Sequence, residues 1–587
     1  MSFDRSKYEA SKEPDYPPDA AIWPEVRKLW DLYGAVWDEK CAFNPVEATI
    51  MGDYRFNANL SSNKREDIDT HLAELKRFKN KVRRILVNKL PPVHRVHHEY
   101  LSEMLKFEVM MFEKVPMYEL PTQHLFGPHL LIVQAASFHP WRDSKDCETY
   151  FSRLRAFGNQ IDQIIEGFKH GLSTKTTLPK SSVEAMIEQC KAQLLEDPEK
   201  SPVYKMAKDK VESVEGNSAE LVNIVKDIVI PAFQRLHDFL SAEYLEGART
   251  EAGIWAFPGG ADMYRACILF FTSLDKPAQD LHDLGLEEVE RITKKMDEVR
   301  ALLGDTEGTQ KTFARKIAAL PENQPKDGEE IISTYKEILD VARVRVLELF
   351  RELPAAELEV KPVEEFRQQA SPAAHYYPPP ADRSRPGIFY ANTYKPETRP
   401  KYSMEAIALH EGLPGHHMQI AIAQELKELP RLRKQVQDFT IGYVEGWGLY
   451  TEYLGEQLRF YEDPLIYYGR LLTEIWRAAR LVVDTGLHSK KWTREQAIEY
   501  LCEYACLADN EAAVEVDRFM VMPGQALAYK TGEIFIINLL KKARRELGPK
   551  FSWQDFHDKV LENGAVPLEL LRRTITSYIG AAKATSV

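Results

Sequence analysis

Apolar residues recur at three- and four-residue spacing along most of this chain from about residue 22 onward, and no other feature constrains the fold as tightly. Such spacing lines one stripe of a helix with apolar side chains, and that stripe must be buried against another element. The runs 66–87, 148–171, 218–243 and 286–303 are the clearest cases. Period-two alternation is scarce. One short apolar run, 387–393, lies between Pro386 and Pro396 and predicts a strand. The expected fold class is mainly α: a large helical body with a deep cleft and a small edge sheet.

Two segments interrupt the helices. Ala256-Phe257-Pro258-Gly259-Gly260 is a turn by composition, and 371–386, SPAAHYYPPPADRSRP, is too rich in proline for a helix and predicts an extended connector. The expected organisation is a helical region 1–245, a middle helical region with the connector at 246–385, and a helical region 386–587 that carries the chemistry. The three are expected to act as one catalytic unit.

Hydrophobic residues make up 44% of the 587 and charged residues 28%, a balance suited to packed globular domains. A formal net charge of -12 offers no attraction to nucleic acid or to an anionic membrane. No basic start leads into an apolar run, and no stretch approaches the roughly 18 apolar residues of a membrane span. These features predict a cytoplasmic protein with no nucleic-acid or membrane partner, and leave the oligomeric state open, a homodimer included. The six cysteines are scattered, as suits a reducing compartment. Cys502 and Cys506, four residues apart, read as small buried residues rather than a metal pair.

The chemistry concentrates in residues 404–417. Residues 404–411 favour a helix that ends on His410 and Glu411, and His416 and His417 follow. In the HExxH pattern two histidines one turn apart bind zinc, and the glutamate beside the first activates water. Here Pro414 stands four after His410, so the strict pattern fails. Seven residues of ideal helix would separate two ligands by about 10 Å. A kink at Leu413-Pro414-Gly415 would shorten that span and turn His416 toward His410, which favours His416 over His417 as second ligand.

A catalytic zinc takes three protein ligands. Glu445, between Val444 and Gly446-Trp447, is the candidate for the third, since a buried carboxylate needs a cation or hydrogen bonds. Glu452, seven residues on, could support a ligand histidine. Along 473–488, Arg477, Arg480, Asp484 and His488 form a polar stripe that reads equally as a buried ladder or as a site wall. His488 is its best candidate to meet substrate. After the Pro523-Gly524 turn, Gln525, Tyr529 and Lys530 are further candidates, and a tyrosine hydroxyl or cation near a metal would stabilise an oxyanion.

Taken together, Asn392-Thr393, 410–417, 443–447, 480–488, 523–530 and 556–558 resemble the signature of the proteins grouped as domain of unknown function 885, and the resemblance runs from about residue 50 to 580. That family is similar to helical zinc peptidases of the carboxypeptidase Taq and angiotensin-converting enzyme kind. The resemblance implies a zincin-like body, Zn2+ held by His410, His416 and Glu445, an oxyanion role for Tyr529, and a substrate-pairing edge strand at 387–393.

The expected function is hydrolysis of an amide bond in a short peptide or amino-acid conjugate. Glu411 would be general base, with Tyr529 and His488 as oxyanion candidates. Asn392, Arg480, Arg518, Gln525 and Lys530 are the substrate-binding candidates, the cations among them for a free carboxylate. The alternatives are a non-hydrolytic metal enzyme, iron-dependent ones included, and a metal-free binding protein on the same fold.

Overall fold

The computed structural model describes residues 16–365, 368, 371–379, 385–435 and 438–584. The chain divides into two compact units, Met1–Met263 and Tyr264–Val587. Among the described residues the secondary structure is mainly helix with one three-stranded sheet.

In the first unit the predicted helices form where the apolar stripe has something to bury. Ser144–Thr174 starts at Asp143, whose carboxylate accepts from the amides of Lys145 and Asp146. It buries Tyr150, Phe151, Leu154, Phe157, Ile161, Ile164 and Phe168. The run predicted at 218–243 is helical but not regular. A π-helical turn, Val225–Val229, precedes Pro231, whose ring and missing N–H disturb the ladder. The turn predicted at 256–260 is present, with Gly259 at φ +73°.

The second unit is built on long paired helices. Helix α1 (Ala278–Leu302) packs against a later helix, Pro464–Ser489. Strands β1 (Leu358–Pro362), β2 (Ala374–Tyr377) and β3 (Gly387–Ala391) follow. Next come α2 (Met404–Glu411), α3 (His416–Glu425), α4 (Ile441–Gln457), α5 (Pro464–Ser489), α6 (Asp509–Val521) and α7 (Ala528–Leu547). Helix α4 packs along α7 and against α2. On α5 eighteen residues are buried, from Tyr468 to His488, so this helix lies deep in the unit.

The sheet corrects two expectations. Its strand order is β1-β3-β2, with β1 parallel and β2 antiparallel to β3. The predicted strand is therefore the central one and offers no edge. Phe389, paired with Val360 on one side and Tyr376 on the other, is fully buried against Tyr335. Part of the proline-rich connector is itself strand β2, because Ala374–Tyr377 is a proline-free stretch long enough to pair. Residues 380–384 of that run lie outside the described residues. Five of the six cysteines are buried, Cys502 among them, and Cys506 is half-buried.

Candidate metal centre

Helix α2 ends at Glu411 and α3 begins at His416, so the two histidines stand on separate helices rather than on one kinked helix. Four residues, 412–415, make the break, and the Leu413–Pro414 peptide is cis. The indole N–H of Trp447 on α4 donates to the Pro414 carbonyl at 2.9 Å and holds the break against α4. Gly415 permits the fold-back, since a Cβ there would lie 1.8 Å from the His410 carbonyl oxygen.

The break brings His416 beside His410. Their rings lie 4.8 Å apart at 90°, and Glu445 Oε2 sits 3.5 Å from the Nε2 atom of each. One donor atom from each of His410, His416 and Glu445 lies within 4.8 Å of the other two, and among the described residues no other such group of three is found. Neighbouring ligands of a tetrahedral ion with bonds of about 2.0–2.1 Å stand roughly 3.3 Å apart, so two imidazoles and a carboxylate at these separations suit zinc and leave a fourth position. Gly448 leaves room for the first ligand: a Cβ there would meet His410 Nε2 at 2.7 Å.

Glu452, one helical face along α4 from Glu445, pairs with His410 Nδ1 at 2.7 Å. Its other oxygen accepts from the Thr473 hydroxyl, and Arg477 lies 3.8 Å away. This fixes the His410 ring with Nε2 toward Glu445. Burial would lower the pKa of His410, but Glu445 and Glu452 hold it up at about 10 in the absence of a cation. Burial likewise opposes ionisation of Glu445, yet His410 and His416 keep it well below the carboxylate range. Glu411 is raised by burial, partly offset by the same two histidines. Its Oε2 accepts the Tyr376 amide of β2 at 2.9 Å.

His417 takes no part in this group. Its Nδ1 pairs with the Tyr376 hydroxyl at 3.1 Å, and burial lowers its pKa to about 4. Arg518, Gln525 and Tyr529 converge. Arg518 Nη2 donates to Gln525 Oε1 at 2.8 Å and lies 3.5 Å from the Tyr529 hydroxyl, which is also 3.5 Å from Gln525 Nε2. Gly446, next to Glu445, meets the backbone of Gly532 one turn from Tyr529, so the packing of α4 along α7 brings this group to the side of the three converging residues. Arg480 stacks between the rings of Trp476 and Tyr529, at 4.5 and 4.6 Å.

The remaining candidates are committed elsewhere. The Asn392 amide donates to the carbonyls of Gln368 and Ser371 and accepts from Tyr394 N–H, which ties loops together behind β3. His488 pairs with the Phe519 carbonyl at 2.9 Å and packs on Tyr264. Asp484 holds the Pro523-Gly524 turn: it accepts from Gly524 N–H at 3.1 Å and from the Tyr264 hydroxyl at 2.5 Å, and burial raises its pKa to about 7. Lys530 lies in a separate buried cluster with Glu474 at 2.7 Å, Glu533 at 2.5 Å and Glu288 at 3.1 Å. The Tyr376 amide was not foreseeable as a partner of Glu411, because its strand is hidden among prolines. The Gly446-Trp447-Gly448 string was the available signal for the close approach of α4.

The family model described as "Bacterial protein of unknown function (DUF885)" matches residues 45–575. No functionally curated protein matches. A candidate lipoprotein from Colwellia psychrerythraea has a similar crystal structure, with TM-score 0.90 and 28% identity over 95% of this chain and 100% of that one. A candidate lipoprotein of unknown function from Shewanella oneidensis has the same fold at TM-score 0.69 and 16% identity, over 93% of this chain and 99% of that one. An oligoendopeptidase F-type structure from Bacillus anthracis aligns at TM-score 0.28 and 11% identity, which carries no argument. The lipoprotein descriptions overturn the expectation of a cytoplasmic location. That expectation was read from apolar patterning alone. No described helix is long and apolar enough to cross a membrane, but such an absence does not fix a compartment.

Proposed function

The chain belongs to the DUF885 family, whose function is unknown, and from its own residues we propose that it is a zinc-dependent hydrolase of amide bonds in short peptides or amino-acid conjugates. One observation carries the reading: His410, His416 and Glu445 converge while Glu411, next to the first of them, is anchored by a backbone amide and, among the described residues, pairs with no lysine or arginine. Two histidines and a carboxylate alone would suit several metals. The adjacent glutamate is what water activation requires.

When bound, zinc supplies Lewis-acid activation of water and of the amide carbonyl. Glu411 then takes a proton from the attacking water and delivers it to the leaving nitrogen. The Tyr376 amide holds its carboxylate in place for both steps. Glu452 keeps His410 in the ligating orientation. Tyr529 donates its hydroxyl to the developing oxyanion. The outer edge of β2, where Tyr376 meets Glu411, offers a backbone for an extended substrate to pair with, in place of the buried β3.

Elemental analysis with a peptide-hydrolysis screen tests this. The wild type should hold about one zinc per chain. Glu411→Gln should keep the metal and lose about 10²–10⁴-fold in turnover. Iron in place of zinc would redirect the site to oxygen chemistry, which the same ligand set supports. A wild type that binds no metal ends the catalytic reading.

A further inference from the structure

The wall beside the ligands carries more donors than acceptors. Arg480 Nη2 donates to Glu515 Oε2 at 2.9 Å, while Arg518 Nη1 lies 3.6 Å from Glu515 Oε1. Two guanidiniums thus share one carboxylate. Arg480 is 3% exposed, and its Nε is a buried donor with no acceptor. Arg477 Nε and Trp476 Nε1, adjacent on α5, are buried without acceptors as well. A guanidinium has five N–H donors, and unpaired buried donors and charges are costly. Gln525 Nε2 and the Tyr529 hydroxyl add neutral donors to the same spot, each only at 3.5 Å from its neighbour.

Such a surplus asks for an anion from outside the chain. A planar carboxylate matches it, because guanidinium groups take carboxylates in paired hydrogen bonds. We infer that Arg518, with Gln525 and Tyr529, forms a carboxylate-binding subsite beside His410, His416 and Glu445, so that the site takes substrates with a free carboxylate close to the scissile amide. The inference rests on the hydrolase reading for the word substrate, but not for the subsite itself. Arg480 stacks on Tyr529, and its unpaired Nε adds a buried donor beside the same group. The class is N-acyl amino acids and the carboxyl-terminal residues of short peptides. Peptide amides and internal bonds of longer chains would be disfavoured.

Binding separates the subsite from catalysis. The probes are hippurate, which has an amide and a free carboxylate, and hippuramide, its neutral amide. Calorimetry on zinc-loaded and zinc-free Glu411→Gln protein should show hippurate binding about 10- to 100-fold more tightly than hippuramide in both forms. Adding Arg518→Met should bring the ratio close to one, while circular dichroism and zinc content stay unchanged. Equal affinities, no measurable hippurate binding, preference confined to the zinc-loaded form, or preference retained by Arg518→Met would each overturn the subsite. Discrimination in a wild type that hydrolyses neither hippurate nor any peptide would keep the subsite and remove the hydrolase.

Discussion

Two clusters of buried charge share helices α5 and α7, and they are finished differently. Around Lys530, three cations (Lys530, Arg470, Arg291) meet three carboxylates (Glu474, Glu533, Glu288), so charges of both signs are matched inside the protein. Around Arg518, two guanidiniums share Glu515, and His410 and His416 both face Glu445. The first cluster pairs opposite charges from α1, α5 and α7 and holds those helices together. The second gathers groups that a metal and an anion would join. Acidic and basic side chains make up both clusters, so residue type alone identifies no site. The test is whether the chain completes its own pairs.

The sharpest test of that contrast is removal of one ligand. His416→Ala should abolish zinc binding in elemental analysis while leaving the fold cooperative by thermal melting, since the ligand cluster is not what holds the helices together. Unfolding on loss of His416 would erase the distinction. In the Lys530 cluster, Lys530→Met strands Glu533 and should cost about 3–5 kcal/mol in chemical denaturation. Arg518→Met should cost less than about 1 kcal/mol in the same assay. Equal losses would place both clusters in one class.

A third measurement concerns Asp484, which is paired within the protein. Its folded pKa of about 7 lies above that of an unfolded aspartate, so its contribution is fully present below about pH 4 and is lost as pH rises through about 7. Melting curves of Asp484→Asn should lack the decline in stability that the wild type shows across that window. A wild type no more pH-sensitive than the variant would refute the assignment. The smallest effect is expected at His417→Gln, which should keep zinc and lose only about 1 kcal/mol from the Tyr376 contact. Loss of metal there would move the ligand by one residue.

Much of this was legible in the chain. His410-Glu411 and Glu445 could be named because a histidine–glutamate pair at a helix end, and a carboxylate set among Val444, Gly446 and Trp447, have few structural uses. The preference for His416 followed from Pro414-Gly415, although a break of two helices, rather than a kink in one, brings it into place. Lys530, Asn392 and His488 were misread for a common reason. Each is a polar residue whose partners come from distant segments, and spacing along one helix cannot say whether Glu288, Gln368 or the Phe519 carbonyl will arrive to satisfy it. The helices were visible because their period is local. The sheet was not, since β1 is five residues long and β2 four, and their pairing with β3 is set in space.

The break at 412–415 also decides how portable this centre is. Where both histidines lie one turn apart on a single helix, a short synthetic peptide already carries half of the coordination sphere in its own periodicity. Here the two ligands belong to separate helices whose relative placement depends on the Trp447 indole reaching the Pro414 carbonyl. A fragment spanning 404–425 contains both histidines and Glu411, yet it lacks the Trp447 indole that holds the break in place. The centre is a property of the assembled unit: it cannot be grafted as a motif, and searches keyed to a fixed interval between histidines will pass over chains that share it.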